Sequence, residues 1–262
     1  MVLGLCQMDV LWENQIRNMN KCESYIKEAS KRNVELLLFP EMILTGFTMN
    51  LDSLIINETE ILEWLKKQAK KYKISIGIGY AVNDNGKGEN KYAMVSCNGE
   101  ILVNYKKIHP FSFAGEKEKY TKGEEIMNCT INGITITPFI CYDLRFPEIF
   151  QIASRNSSLI IVAANWPKLR EDHWIILLKA RAIENQCFIV GINRVGNGDG
   201  VEYNGNSVVV DPDGKIRNRR DNEEKLIVET LDFSKVSKIR ESFHLKDDRR
   251  EELYIKKLET FQ

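Results

Sequence analysis

No apolar run in this sequence approaches the ~20 residues that a helix needs to cross a bilayer, so no membrane partner is expected. Charge of one sign does not prevail either. Lys+Arg and Asp+Glu each number 37 in 262 residues, and without a broad basic field no nucleic-acid partner is expected. No cysteine pair has CxxC spacing: Cys6, Cys22, Cys97, Cys129, Cys141 and Cys187 stand singly, which weakens zinc and thioredoxin-type readings. The opening MVLGLCQMDV has neither a basic segment nor a small-residue cleavage site; it reads as a first strand, and a cytoplasmic location is expected. There the cysteines are expected as free thiols, most of them small buried hydrophobes, and the sequons at Asn57, Asn128 and Asn156 go unused. Internal repeats, low-complexity tracts and Pro/Gly/Ser-rich linkers are missing too. One α/β domain over residues 1–245 is therefore expected, with residues 246–262 as a charged arm or helix.

What is present alternates between strand and helix patterns. Residues 14–33 place Ile16, Met19, Ile26 and Ala29 on one helical face, with Asn14 as its cap. VELLLFPE reads as a buried strand, ETEILEWLKKQAKKYK as a helix, ISIGIGYAV as a strand and NDNGKGEN as its turn. YAMVSCNGEILVNYKK and CTINGITITPFICYD each hold an Asn-Gly between β-rich runs, the mark of a hairpin. RFPEIFQIASRNS, with Pro147 near its first turn, and HWIILLKARAIENQ read as helices around the strand SLIIVAANW. CFIVGINRVG, NSVVVDPDGKI and KLIVETLDF are further strands, and SKVSKIRES a last helix. GNGDG (196–200) lies between strands rather than opening a helix, so it is a turn and not a dinucleotide loop. Hairpins mixed with strand–helix units predict two mixed sheets face to face with helices outside, a four-layer α-β-β-α sandwich.

Three apolar strands end in a reactive side chain: LLLFPE at Glu41, ILVNYKK at Lys107 and TPFIC at Cys141. Ligand sites of α/β sheets gather at strand ends. A thiol is mostly protonated at neutral pH, and the thiolate is the nucleophile. A buried carboxylate can take its proton, and a lysine can hold the oxyanion that forms when the sulfur attacks a carbonyl. Taken singly, each group also has a plain structural role open to it, and Lys106 is as good a surface cation as its neighbour. A Cys–His hydrolase is the nearest enzymatic alternative, drawing on His109, His173 or His244, but papain-type sequence around the cysteine is absent.

FPEMILTGF (39–47), YKKIHPF (105–111) and CYDLRFPE (141–148) resemble the three signature segments of the nitrilase, or carbon–nitrogen hydrolase, superfamily, in its order and spacing. ANWP (164–167), residues 173–196 and YNGNSVVVDPDGKI (203–216) extend the likeness to about residue 235. The resemblance implies Glu41 as general base, Lys107 as oxyanion partner and Cys141 as nucleophile. It implies a second glutamate at Glu116, with Glu118 as the neighbouring option, and the Tyr142 N–H in the oxyanion hole. It requires no metal or other cofactor and implies an α-β-β-α sandwich. Homodimers are implied as well, packed through the helices near the cysteine and the C-terminal arm. ANWP with the following Arg170, His173 and Trp174 looks like the omega-amidase branch, which hydrolyses small dicarboxylate monoamides such as 2-oxoglutaramate to carboxylate and ammonia. Other small linear amides, deaminated glutathione among them, and a non-catalytic binding protein on the same fold are the alternatives. Arg145, Arg170 and Arg194 are candidates for the substrate carboxylate, Trp166 for a pocket wall and His173 for a neighbour of the site. Pro110 stands where leucine is expected in the lysine segment, and the loop carrying Glu116 is expected to sit differently for it.

Overall fold

The computed structural model describes residues 1–260. The chain runs β1 (Val2–Gln7), α1 (Gln15–Lys31), β2 (Leu36–Leu38), α2 (Glu58–Tyr72), β3 (Ser75–Asp84), β4 (Lys87–Val95), β5 (Ile101–Lys106) and α3 (Glu116–Lys119). It continues through β6 (Cys129–Ile131), β7 (Ile134–Ile140), α4 (Pro147–Ala153), β8 (Leu159–Ala164), α5 (Glu171–Asn185) and β9 (Phe188–Asn193). Last come β10 (Val195–Gly198), β11 (Val201–Asn204), β12 (Val208–Val210), β13 (Lys225–Thr230), α6 (Ser234–Ser242) and α7 (Glu251–Glu259). The predicted arm thus contains α7, and its last two residues lie outside the described ones.

Two mixed sheets form, in the orders β13-β1-β2-β3-β4-β5 and β12-β9-β8-β7-β6, and β10 and β11 make a separate ribbon. The period-2 alternation of each strand assigns its side chains to two cores. From the first sheet, Leu3, Leu5, Leu36, Leu38, Tyr92 and Met94 enter the core shared with the second sheet. Their neighbours Cys6, Leu37, Ala93 and Val95 pack instead with Cys22, Ile26, Ile61 and Leu65 of α1 and α2. The helix α5 covers the far side of the second sheet with Trp174, Leu178 and Ala182. This is the four-layer sandwich expected from the pattern. Among the described residues, no helix is long and apolar enough to cross a membrane.

Local chemistry fixed several boundaries. Asn14 caps α1 by accepting from the Arg17 N–H, as predicted. The turn foreseen as NDNGKGEN contracts to Asn85–Gly86, at φ 52° and 87°, and the flanking residues pair in β3 and β4. Positive φ at both central positions is the hairpin geometry that matches strand twist. The buried stripe of α1 differs from the expected one: it is Gln15, Asn18, Cys22, Ile26 and Ala29, and Ile16 is 59% exposed. Asn18 turns the helix, because its amide donates to the carbonyls of Leu11 (2.7 Å) and Leu44 (2.8 Å) and must face inward. CFIVGINRVG is two strands, not one, broken at Arg194 between β9 and β10.

Candidate active site

Each reactive side chain sits just past a strand end, and both sheets contribute. Glu41 follows β2 in a tight turn whose approach to β3 depends on Gly79. A Cβ there would lie 2.5 Å from the Pro40 carbonyl oxygen and 2.6 Å from the Glu41 Cα. Lys107 follows β5 and keeps its backbone in register, donating its N–H to the Asn90 carbonyl (2.9 Å). Cys141 follows β7 and opens a 3-10 turn, Cys141–Arg145, with φ +44°. A left-handed cysteine is strained, and such residues persist where surrounding structure holds them, often at functional sites. Tyr142 is second in that turn, where its N–H has no acceptor within the helix.

The four predicted polar groups converge. Lys107 Nζ donates to Glu41 Oε1 at 2.9 Å and to Glu116 Oε2 and Oε1 at 2.9 and 3.2 Å. Glu41, Lys107 and Glu116 are buried, Glu116 on the first turn of α3, and the neighbouring Glu118 is exposed. Two amides complete the cluster, and neither was singled out from sequence. Asn90 Nδ2 donates to Glu41 and Glu116, 2.8 Å to each. The Asn165 N–H donates to Glu41 Oε2 at 2.9 Å, and its side-chain amide to the Glu41 carbonyl at 2.7 Å. Asn90 was hidden inside the segment read as a turn. Asn165 lay in ANWP but showed no chemistry of its own in sequence.

The electrostatics follow from burial. Desolvation, then the charge of Glu41, push the Cys141 thiol well above its ordinary range, while Lys107 pulls the other way. The thiol therefore rests protonated. Desolvation opposes the Lys107 ammonium, but Glu116 and Glu41 outweigh it and hold the lysine above its usual value. Burial, with the charge of Glu41 beside it, raises Glu116 although Lys107 opposes the shift. A like charge beside it in a dry site disfavours the ionised form of Glu116.

A cavity of about 200 Å³ opens over Cys141 and Lys107, with Phe47, Phe111, Tyr142, Trp166 and Tyr203 among its walls. Arg145 and Arg170 also line it, with their guanidinium groups over Trp166 (4.9 Å) and Phe111 (5.5 Å). Trp166 is held by donating Nε1–H to the Arg170 carbonyl at 2.7 Å. His173 is exposed and touches Arg145 through Nδ1 at 3.3 Å, behind the wall rather than in it. Arg194 is not a cavity residue. It is fully buried and bonded to the carbonyls of Val195, Val10 and Asn197 and to Asp9, a staple between loops. The histidines are engaged elsewhere or exposed: His109 pairs with Asp143 at 2.8 Å and stacks on Phe146, and His244 is exposed. Among the described residues, no histidine bonds to Cys141.

Comparison with known proteins places this geometry. The carbon-nitrogen hydrolase family model matches residues 2–241. A 2-oxoglutaramate amidase of Bacillus subtilis is 34% identical over 256 residues, 96% of this chain and 98% of the relative. An omega-amidase of Yersinia enterocolitica is 38% identical over 216 residues, 82% of this chain and 83% of the relative. The crystal structure of a CN-hydrolase superfamily protein from Xanthomonas campestris superposes with a TM-score of 0.89 at 26% identity, covering 95% of this chain and 97% of that one. Amidase-named relatives support an amidase activity, and with the family match across nearly its whole length the chain belongs to the carbon-nitrogen hydrolase family, a hydrolase of carbon–nitrogen bonds.

Proposed function

We propose that the chain is a cysteine-dependent omega-amidase, releasing ammonia from small dicarboxylate monoamides of the 2-oxoglutaramate kind. The observation that carries the chemistry is the convergence of Glu41, Lys107 and Glu116 beside Cys141. Glu41 takes the thiol proton as substrate enters, and the sulfur attacks the amide carbon. Lys107 Nζ and the Tyr142 N–H hold the oxyanion. The protonated Glu41 gives its proton to the leaving nitrogen, and ammonia departs with cleavage of the C–N bond. A water then loses a proton to Glu41, attacks the thioester and releases the carboxylate, and the proton returns to the sulfur. Glu116, bonded to Lys107 through both oxygens, keeps the ammonium aimed.

Substrate class rests on the wall charges. Among the described residues lining the cavity, the charged ones are Lys107, Arg145 and Arg170, all cationic. A guanidinium suits bidentate capture of a carboxylate, and about 200 Å³ is room for roughly seven waters, enough for a small linear acid amide. Glutamine carries an added ammonium, which these cations repel. The test is ammonia release from 2-oxoglutaramate, succinamate, glutamine, deaminated glutathione and a nitrile. The two omega-amides of anionic acids should lead, and Cys141→Ala should abolish turnover. Cleavage of the nitrile alone moves the protein to another branch, and activity retained in Cys141→Ala removes the nucleophile.

A homodimer is part of the same reading. Ile152 of α4 and Ile176 and Ile183 of α5 are exposed on the outer layer. Such an apolar group on a surface helix pair suits a self-complementary interface. Light scattering at micromolar concentration should give twice the chain mass; a monomer mass rejects the dimer.

A further inference from the structure

We infer that Asp143 is a positioning residue, whose single carboxylate sets where Lys107 stands relative to the Cys141 sulfur. The inference rests on the assignment of those two residues made above. Asp143 is fully buried, two residues beyond Cys141, and none of its bonds reaches the cavity. Its Oδ2 accepts from the Ile140 N–H (3.0 Å) and the Tyr105 hydroxyl (2.7 Å). Its Oδ1 accepts from the His109 N–H (3.0 Å) and from His109 Nδ1 (2.8 Å). The Tyr105 oxygen in turn accepts the Ile108 N–H at 3.2 Å.

The positions of these donors carry the inference. Tyr105, Ile108 and His109 bracket Lys107, on the strand end from the first sheet. Ile140 immediately precedes Cys141, on the strand end from the second sheet. One carboxylate therefore joins the backbone that carries the oxyanion partner to the backbone that carries the nucleophile. It must be a carboxylate, because a backbone N–H points at each of its two oxygens. An asparagine in either orientation sets its NH2 against one of those N–H groups, and one strand end comes loose. A misplacement of about 1 Å in such a site costs about a hundredfold in rate.

Sulfur alkylation separates this role from a merely structural one, because it forms no oxyanion and feels Lys107 only through its pull on the thiol's acidity. With succinamate as substrate, Asp143→Asn should lose about a hundredfold in kcat, with KM and the iodoacetamide rate of Cys141 each within about threefold of wild type. Tyr105→Phe, which removes one donor and keeps the carboxylate, should show the same split with about a tenfold loss, and serves if Asp143→Asn does not fold. The inference is overturned if kcat per folded molecule stays within about threefold, or if alkylation falls in step with kcat. Turnover persisting in Cys141→Ala would instead reject the mechanism itself, so the two failures are distinguishable.

Discussion

Replacing Lys107 by methionine removes the one cation from a buried cluster and leaves two carboxylates facing each other through Asn90. Both ion pairs measure 2.9 Å. At an effective dielectric of about 20 that distance corresponds to about 6 kcal/mol of attraction for each carboxylate, part of which desolvation of the ammonium takes back. Without it Glu116 faces the Glu41 charge with no cation between them, which favours its protonated form. Glu116 is already shifted upward in the wild type by burial and by the charge of Glu41, so it rises further in the variant. A carboxyl whose folded value lies above its unfolded one contributes stability in full below about pH 4.3. It loses that contribution as pH rises through the folded value, by about 1.4 kcal/mol per unit. The wild type should follow this direction, and Lys107→Met should follow it more strongly. The destabilisation caused by the substitution should be smallest near pH 5 and reach roughly 3–4 kcal/mol by pH 8. Urea denaturation of both proteins at pH 5, 6.5 and 8 reads this directly. A stability difference that does not vary with pH refutes the reasoning, because it would mean that the carboxylates do not depend on the lysine for their charge. Turnover should fall about a thousandfold or more, from the missing oxyanion donor.

Glu116→Gln should make the Cys141 thiol more acidic while making the enzyme slower. The Glu116 charge is among the causes holding the thiol up, so the pH profile of iodoacetamide alkylation should shift to lower pH; an upward shift would sink this account. Gly79→Ala places a methyl against the backbone of Pro40 and Glu41. It should cost about 1–3 kcal/mol in urea denaturation and more than tenfold in turnover, whereas an unperturbed turnover would show that the turn yields freely. Burial pushes the thiols of Cys129 and Cys187 up to about 12. Their stabilising contribution is complete below the ordinary thiol value near 9 and is lost as pH rises through 12. Moving from pH 7.5 to pH 10 should therefore cost about 1.4 kcal/mol per thiol, and Cys187→Ala should lose less than wild type over that interval.

The layers of this fold were legible because the signals that encode them are local. Asn-Gly turns need positive φ, an asparagine caps α1, and strand ends in reactive side chains announced where chemistry could sit. What failed was set by contacts between distant segments. Asn18 faces inward only because the Leu44 carbonyl waits for it 26 residues on, and that rotation carries Ile16 to the surface. Arg194 looked like a carboxylate binder because sequence shows its charge but not the three carbonyls that consume it. Asn90 has no pattern at all: a polar residue in a polar turn-like segment becomes the bridge between two glutamates only when β4 lies beside β5. Glu116 and Glu118 are two apart on one short helix, and the turn of α3 sends one inward and the other to solvent.

The same division explains why this site needs both sheets. Glu41 and Lys107 follow the ends of β2 and β5 and Asn90 lies within β4 of the same sheet, whereas Cys141 and Asn165 follow the ends of β7 and β8 in the other. The polar links from Asn165 to Glu41 and from Asp143 to Tyr105 and His109 cross the seam between the sheets. Taken alone, the first sheet would hold an ion cluster with no sulfur, and the second a strained cysteine with no base. Burying three charged side chains is unfavourable in itself, and it is tolerated because donors meet nearly every oxygen. The exceptions are the Asn90 and Asn165 side-chain oxygens, which have no partner among the described residues. Both belong to amides whose NH2 groups are committed to Glu41 or Glu116, so their oxygens are turned away with nothing to accept. Orienting the base thus commits both amides of the cluster, and the interlocked apolar faces of the two sheets hold the buried charges in place.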